Sequence, residues 1–79
     1  MPRERSSRQL PIAPVDRLIR KANAERVSEN AADALAEILE ELALEIAQRA
    51  RELAEFAGRK TVTEKDIRLA YKQWRRSMI

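Results

Sequence analysis

Apolar and polar positions follow a helical repeat in three separate stretches of this chain, and the central stretch is much the longest. Residues 29–57 contain no Gly or Pro, and most of their large apolar side chains recur at intervals of three, four and seven positions. Interspersed alanines widen the apolar surface beyond one narrow seam. At ~1.5 Å of rise per residue, a helix of roughly 29 residues is about 44 Å long. We expect that a 79-residue chain cannot bury this helix by itself.

Residues with known capping preferences mark both ends of the central helix. Ser28 is a good N-cap, and Glu29 places a negative charge at the positive end of the helix dipole. Gly58 is the only glycine of the chain and follows the last periodic residues. Its position predicts a left-handed residue that terminates the helix.

Shorter helical patterns flank the central helix. Residues 10–14 open the first helix, since Pro is tolerated in a first turn, and Asn23 is suited to the left-handed conformation at its end. The last helix begins at Thr63, which forms a variant of the capping box with Asp66. The apolar stripe of this helix extends to Trp74, which we expect to be a core or interface residue rather than a platform for stacked bases.

The predicted fold class is all-α, with the order short helix, loop, long helix, loop, short helix. Residues 26–28 and 61–63 are β-prone triplets, too short for a sheet, that are able to pair within or between chains. A coiled coil is the alternative for the long helix. Its large apolar residues thin out between Ile46 and Leu53, which weakens a continuous seam and favours a crossing of two helices.

Charge is distributed in three blocks along the chain. Residues 1–28 carry a net charge of +4, residues 29–57 of −6 and residues 58–79 of +5, which together give +3. Positive charge is therefore concentrated on both sides of the central helix. This distribution, more than the small net charge, favours an anionic partner over a uniformly solvated surface.

Composition argues against several classes of function. The chain has no Cys and no His, which excludes disulfides, thiolate metal sites and imidazole catalysis. There is no Gly-rich phosphate loop, and the acidic residues are spread along a helix instead of converging in a pocket. We therefore expect no enzyme activity, cofactor, metal or small-molecule substrate. No apolar run is long enough to span a membrane and no secretory signal is evident, so we expect a soluble intracellular protein.

Several short segments together resemble an archaeal histone. They are, in order, residues 10–14 followed by Arg17, then residues 24–28, 36–41, 57–61 and 66–67. Each segment is a weak signal alone, but their order and spacing are specific. The resemblance covers roughly residues 10–71.

The resemblance implies a histone fold in which two copies of the chain form a handshake homodimer with crossing central helices. The first loop of one chain then lies beside the second loop of its partner, and the two β-prone triplets pair as a short ladder. Residues 1–9 are polar, basic and without periodicity, so we expect a basic disordered tail there, followed by a histone-fold domain at 10–76 and a C-terminal end at 77–79. The implied location is cytoplasmic, with the protein associated with the chromosome in the nucleoid.

The implied function is sequence-independent binding of double-stranded DNA, which is bent, wrapped and compacted into nucleosome-like particles. The candidate DNA-binding residues are Arg17, Arg20, Lys21, Arg26, Arg59, Lys60 and Thr61. Arg26 is the candidate for insertion into the minor groove, steadied by Thr61 of the other chain.

Some of these basic residues also have a structural interpretation. Arg59 is expected to form a structural ion pair with Asp66, so that it is only partly a phosphate ligand. Arg20 and Lys21 are equally able to complement the dipole at the end of the first helix. Other basic residues of the last helix, Lys65 and Arg68, are expected to be surface charges.

The chain also departs from the family pattern. Many members have His at the position of Phe56, where it faces an Asp equivalent to Asp66 in a bundle between dimers, and Leu53 matches the apolar residue of that bundle. We expect Leu53, Phe56 and Asp66 to form a dimer–dimer interface without the His hydrogen bond, which would allow tetramers or longer assemblies on DNA. Asn23 stands where Gly is frequent.

Basic residues outside the common core are further candidates for phosphate contacts: Arg3, Arg5, Arg8, Arg75 and Arg76. The alternative function is that of a histone-fold protein-interaction subunit, paired with a different chain in a transcription or replication complex. Retention of Arg26, Arg59, Lys60 and Thr61 argues against this alternative.

Overall fold

A computed structural model describes residues 9–78 of the chain, which form three α-helices and no strand. Helix α1 spans Ile12–Lys21, α2 spans Glu29–Phe56 and α3 spans Glu64–Ser77. The all-α prediction and the short–long–short order are confirmed. The predicted tail at 1–9 lies outside the described residues, apart from Gln9. Both β-prone triplets lie in irregular loops of this single chain.

The start of α2 shows why the helix begins at Glu29. The backbone N–H of Ala31 donates a hydrogen bond to Oγ of Ser28 at 3.0 Å. The same N–H also donates to the carbonyl of Ser28 at 3.1 Å, so Ser28 satisfies a group of the first turn that has no partner four residues before it. Glu29 adds a negative charge beside the remaining N–H groups.

Left-handed residues end α1 and α2. Asn23 and Gly58 both have a φ of 76°. The N–H of Gly58 donates to the carbonyl of Glu55 at 2.9 Å, and the N–H of Arg59 donates to the carbonyl of Ala54 at 2.8 Å. These two bonds form a Schellman motif, in which the chain reverses and satisfies the last carbonyl groups of the helix.

The described residues divide into two compact units between Glu41 and Leu42, and α2 contributes residues to both. In the first unit, α1 packs on the N-terminal part of α2 through Val15, Ala32 and Ala36. Six partly buried side chains surround this cluster: Leu10, Ile12, Ile19, Val27, Leu35 and Leu39. The N–H groups of Gln9 and Leu10 donate to Oε2 of Glu40 at 2.8 and 2.9 Å. Glu40 thereby fixes the segment that leads into α1.

In the second unit, α3 packs on the C-terminal part of α2. Ala50, Ala54 and Ala70 are buried there. Trp74 is half-buried, and its Nε1–H donates to Oε1 of Glu45 at 2.9 Å. Its ring also stacks on Tyr71, with 6.0 Å between the ring centroids. Trp74 therefore ties the end of α3 to α2.

Burial within the described part of one chain is shallow. The buried apolar residues are Val15 and five alanines, and no large side chain is fully buried. Large apolar side chains of α2 remain open to solvent, with Ile38 exposed by 52%, Leu44 by 60% and Phe56 by 94%. Exposed apolar surface on this scale is typical of a protein–protein interface. The expectation that α2 needs a second chain agrees with this burial.

We predict that Gly58→Ala destabilises the protein through its backbone alone. A Cβ at Gly58 meets no atom within 4 Å, but the residue has a φ of +76°. Left-handed backbone costs a residue with a Cβ roughly 1–2 kcal/mol, and urea unfolding is expected to show a loss near that size per protomer. Gly58→Asn is the matched control, since Asn tolerates this conformation and is expected to lose less. Equal losses in both variants would contradict the explanation.

Candidate nucleic-acid interface

The loop between α2 and α3 is held by a bidentate ion pair. Nη1 and Nη2 of Arg59 donate to Oδ2 and Oδ1 of Asp66 at 2.9 and 2.8 Å. Nη1 of Arg59 also donates to the carbonyl of Thr61 at 3.1 Å. Arg59 therefore bridges its own loop and the first turn of α3, as expected for a structural ion pair.

Asp66 is also one half of a capping box. Its Oδ2 accepts hydrogen bonds from the N–H of Thr63 at 2.8 Å and from Oγ1–H of Thr63 at 3.0 Å. The N–H of Asp66 is directed at Oγ1 of Thr63 at 3.4 Å. Asp66 is only 5% exposed, and both of its carboxylate oxygens are occupied within its own chain. The predicted capping box is thus present, and α3 begins one residue after Thr63.

The same contacts set the protonation of the pair. Hydrogen bonds from Arg59, and then from the backbone of Thr63, hold the pKa of Asp66 well below its usual range. In return, the hydrogen bond to Asp66 raises the pKa of Arg59. The pair therefore stays charged, and much of the positive charge of Arg59 is offset by the carboxylate.

Lys60 and Thr61 stand beside this pair at the tip of the loop. Both are exposed. Within residues 9–78, the ammonium group of Lys60 and the hydroxyl of Thr61 have no hydrogen-bond or ion-pair partner. The Arg59–Asp66 pair fixes the backbone that carries them, so they are available for an external ligand.

The candidate residues of the first unit include both free and paired cations. Arg17, Lys21 and Arg26 are exposed and have no ionic partner among the residues that the structure describes. Nε of Arg20, in contrast, donates to Oδ2 of Asp16 at 2.8 Å. Of these four cations, Arg20 is the least available for a phosphate.

The N-terminus of α1 lacks the usual capping groups. Its N-cap residue is Pro11, which makes no side-chain capping hydrogen bond, and the first turn contains no acidic residue. The N–H groups there keep their positive potential. Such a helix start is suited to an anion when other cations lie on the same helix, and α1 also carries Arg17 and Lys21.

The candidate dimer–dimer residues differ in their availability. Phe56 is almost fully exposed, and Leu53 is half-buried. Both line a shallow groove of about 430 Å³ together with Arg49, Glu52 and Gln73. Asp66 is different, because its carboxylate is already bound by Arg59 and Thr63.

Sequence reasoning missed two contacts that position these residues. Glu40 accepts hydrogen bonds from residues about 30 positions away, and Glu45 accepts one from Trp74, 29 positions away. Both acids look like ordinary members of a solvated helix face in the sequence. Only the tertiary structure pairs them, because no local spacing rule connects such distant positions.

Other kinds of site are not apparent in the described part of the chain. Residues 9–78 contain no cluster of three or more His, Cys, Asp or Glu side chains arranged to hold a metal ion. None of the helices there has the length and apolarity needed to cross a membrane.

We predict that Asp66→Asn lowers the stability of the fold and removes a pH dependence. Because the pKa of Asp66 is lowered by folding, the carboxylate stabilises the folded protein fully above its unfolded pKa, about 3.9. This contribution is lost as the pH falls below that value. The stability difference between the native protein and the variant, from urea unfolding, is expected to be constant above about pH 5 and to shrink below about pH 4.

Asp16→Asn is the matched control for this experiment. It removes a second Asp–Arg pair, which is a surface pair within α1. Such pairs contribute little to stability. A difference for Asp66→Asn that does not change between pH 6 and pH 2 would show that the ion pair does not stabilise the fold.

Comparison with known proteins identifies the family. Residues 8–71 match the family described as histone-like transcription factor (CBF/NF-Y) and archaeal histone. The chain is 67% identical to a subunit of archaeal histone HAN1 from Thermococcus zilligii over 64 residues, which cover 81% of this chain and 96% of that protein. It is 52% identical to probable archaeal histone 3 of Methanocaldococcus jannaschii over 62 residues, 78% of this chain and 92% of that protein. The chain therefore belongs to the family of histone-like transcription factors and archaeal histones, has the histone fold, and is an archaeal histone, an architectural DNA-binding protein of chromatin.

Proposed function

We propose that the protein binds double-stranded DNA with little sequence preference, and that it bends, wraps and compacts the DNA into nucleosome-like particles. One observation carries this proposal. The loops on both sides of α2 present exposed cations, Arg26 and Lys60, that have no acidic partner among residues 9–78. Unpaired cations on fixed loops suit a polyanion with regularly spaced charges.

The chemistry of binding is electrostatic. Duplex DNA presents one negative charge per ~1.7 Å of its axis, and cations that neutralise phosphates release condensed counterions. Arg17 and Lys21 on α1 add to the cations of the two loops. Affinity obtained in this way is independent of sequence and decreases steeply with salt.

Arg26 has a special role in this proposal. Histones insert Arg into the minor groove where it faces the protein. Arg26 is exposed, lies shortly before the start of α2, and has no partner within the described residues. Thr61 of the second chain would steady its side chain through the free hydroxyl. Bending then depends on the deformability of the duplex and not on the identity of its bases.

A homodimer supplies the burial that one chain lacks. Ile38 and Leu44 of α2 are more than half exposed in the single chain. A handshake dimer covers such surface with the same surface of a second copy, as a two-fold interface requires. In that arrangement the first loop of one chain meets the second loop of the other, which doubles the number of DNA-contacting loops.

Assembly of dimers on DNA is proposed to use the end of α2. Phe56 is 94% exposed beside Leu53, so this end has an apolar contact ready for a second dimer. Asp66 enters the interface only as a structural residue, because Arg59 and Thr63 occupy its carboxylate. Tetramers or longer assemblies would follow from this contact. The proposed location is the nucleoid, and the role is DNA packaging without enzyme activity.

The alternative role, in which the chain serves only for protein contacts in a transcription or replication complex, is not favoured. The two relatives are named archaeal histones, and the free cations of the loops have no use in a surface for protein contact alone. The name of the first relative describes it as one subunit. Native mass spectrometry of the purified chain separates self-pairing from a need for a second kind of chain.

We predict that the native protein binds and shortens random-sequence duplex DNA, with affinity that falls steeply as salt increases. Arg26→Ala is expected to reduce compaction, because it removes a minor-groove contact twice per dimer, while the dimer remains folded. Binding is measured over a salt series, and DNA extension is measured on the same complexes by tethered-particle motion. Circular dichroism and sedimentation check the fold and the dimer.

Arg51→Ala is the matched control for Arg26→Ala, since Arg51 pairs with Glu55 on α2. It removes the same charge from a site outside the proposed DNA surface. Compaction that is unchanged by Arg26→Ala would remove the minor-groove role. Absence of binding by a folded native dimer at low salt would overturn the proposed function.

We predict that Phe56→His changes the association of dimers on DNA without altering the dimer itself. Phe56 is exposed in the single chain, so its replacement leaves the core intact. Sedimentation of the free protein is expected to match the native dimer, whereas the protein–DNA ladder seen after nuclease digestion is expected to differ. Identical ladders would show that Phe56 lies outside the dimer–dimer interface.

A further inference from the structure

All basic residues of α3 lie on one side of the helix. At 3.6 residues per turn, five side chains fall within an arc of about 100° around its axis. They are Lys65, Arg68, Lys72, Arg75 and Arg76, which we call the α3 basic face. The residues that pack on α2, such as Ala70 and Trp74, lie outside this arc.

Most of the α3 basic face is unneutralised. Each of its residues is exposed. Nε of Arg68 donates to Oε2 of Glu64 at 2.8 Å, and this pair is strongly exposed, with 75% of each side chain open to solvent. The other four cations have no ionic partner in the part of the chain that the structure describes.

The electrostatics of the helix itself do not account for this arrangement. Arg75 and Arg76 are in the last turn, where cations complement the dipole. Lys65, however, is in the first turn, where the dipole disfavours a cation. Lys65 and Arg68, and likewise Arg68 and Lys72, are spaced three or four residues apart, so that like charges face each other and destabilise the helix. A bound anion would relieve this repulsion.

The α3 basic face adjoins the loop that carries the proposed DNA-binding residues. A shallow groove of about 600 Å³ is lined by Arg59, Thr63, Glu64, Lys65 and Arg68. A second groove of about 410 Å³ is lined by Ile67, Arg68, Tyr71, Lys72 and Arg75. Because Arg68 lines both grooves, basic side chains continue without a break from Arg59 along α3 to Arg75.

We propose that the α3 basic face binds the phosphates of double-stranded DNA and extends the contact made by residues 59–61. The proposal rests on the proposed function. From Lys65 to Arg76 the face is about 16 Å long, which matches a run of several phosphates along a duplex. Continuity with the loop favours DNA over an acidic protein surface. The inference departs from the expectation that Lys65 and Arg68 are surface charges alone.

The double variant Lys72→Gln/Arg75→Gln tests this proposal. Neither residue has an ionic partner among residues 9–78, and both lie outside α1 and the loop of residues 59–61. Arg75 is also one of the candidates for phosphate contacts named from the sequence, whereas Lys72 is not. Binding to a random-sequence duplex is measured over a salt series for the full-length chain. Each lost phosphate contact makes the slope of log K against log salt shallower by about 0.9, so a loss of about 1.8 per bound protomer is expected.

The control is a pair of single variants. Arg51→Gln removes one charge from α2, at a residue that is paired with Glu55, and is expected to keep the native slope, whereas Lys72→Gln is expected to lose about 0.9. Thermal unfolding of Lys72→Gln/Arg75→Gln is expected at the native temperature or above, because like-charge repulsion decreases. A native slope in this double variant, or equal losses in the two single variants, overturns the inference. If the slope stays native and self-association without DNA changes, the α3 basic face contacts an acidic surface of another copy of the chain. That result also overturns the inference. Failure of the native protein to bind would instead be a failure of the proposed function.

Discussion

The length of α2 imposes a burial requirement that residues 9–78 of one chain do not meet. The helix is 28 residues long and continuous, yet all of its buried apolar residues are alanines. Burial of large apolar side chains contributes most of the stability of a small domain. A second copy of the chain is the simplest source of that burial. Dimer formation is thus a condition for the burial of α2.

The Arg59–Asp66 pair fixes the loop between α2 and α3. It connects the residue after the Schellman turn to the first turn of α3, while Thr63 closes the capping box on the same carboxylate. The loop is therefore fixed at both ends. Lys60 and Thr61 are held between these fixed points, so a ligand does not have to order the backbone when it binds.

The structure divides the basic residues into those that are used within the chain and those that are free. Arg20, Arg51 and Arg68 form pairs within their own helices, and Arg59 is bound by Asp66. Lys60 and the cations of the α3 basic face other than Arg68 have no such partner in the described residues. The three blocks of net charge in the sequence therefore do not show which cations are unpaired, whereas the structure does. Phosphate binding depends on the unpaired cations, since a paired cation releases fewer counterions.

The sequence by itself determined the three helices and their ends, because caps and terminators act over three to six residues. Ser28, Asn23, Gly58 and the Thr63–Asp66 box all have the structure that their spacing predicts. Short motifs also indicated the family, and the resemblance to the family predicted the Arg59–Asp66 pair. Tertiary structure alone decided the contacts of Glu40 with the chain before α1 and of Glu45 with Trp74. It also decided which cations remain unpaired, since such pairing depends on distances in space between residues that no local rule connects.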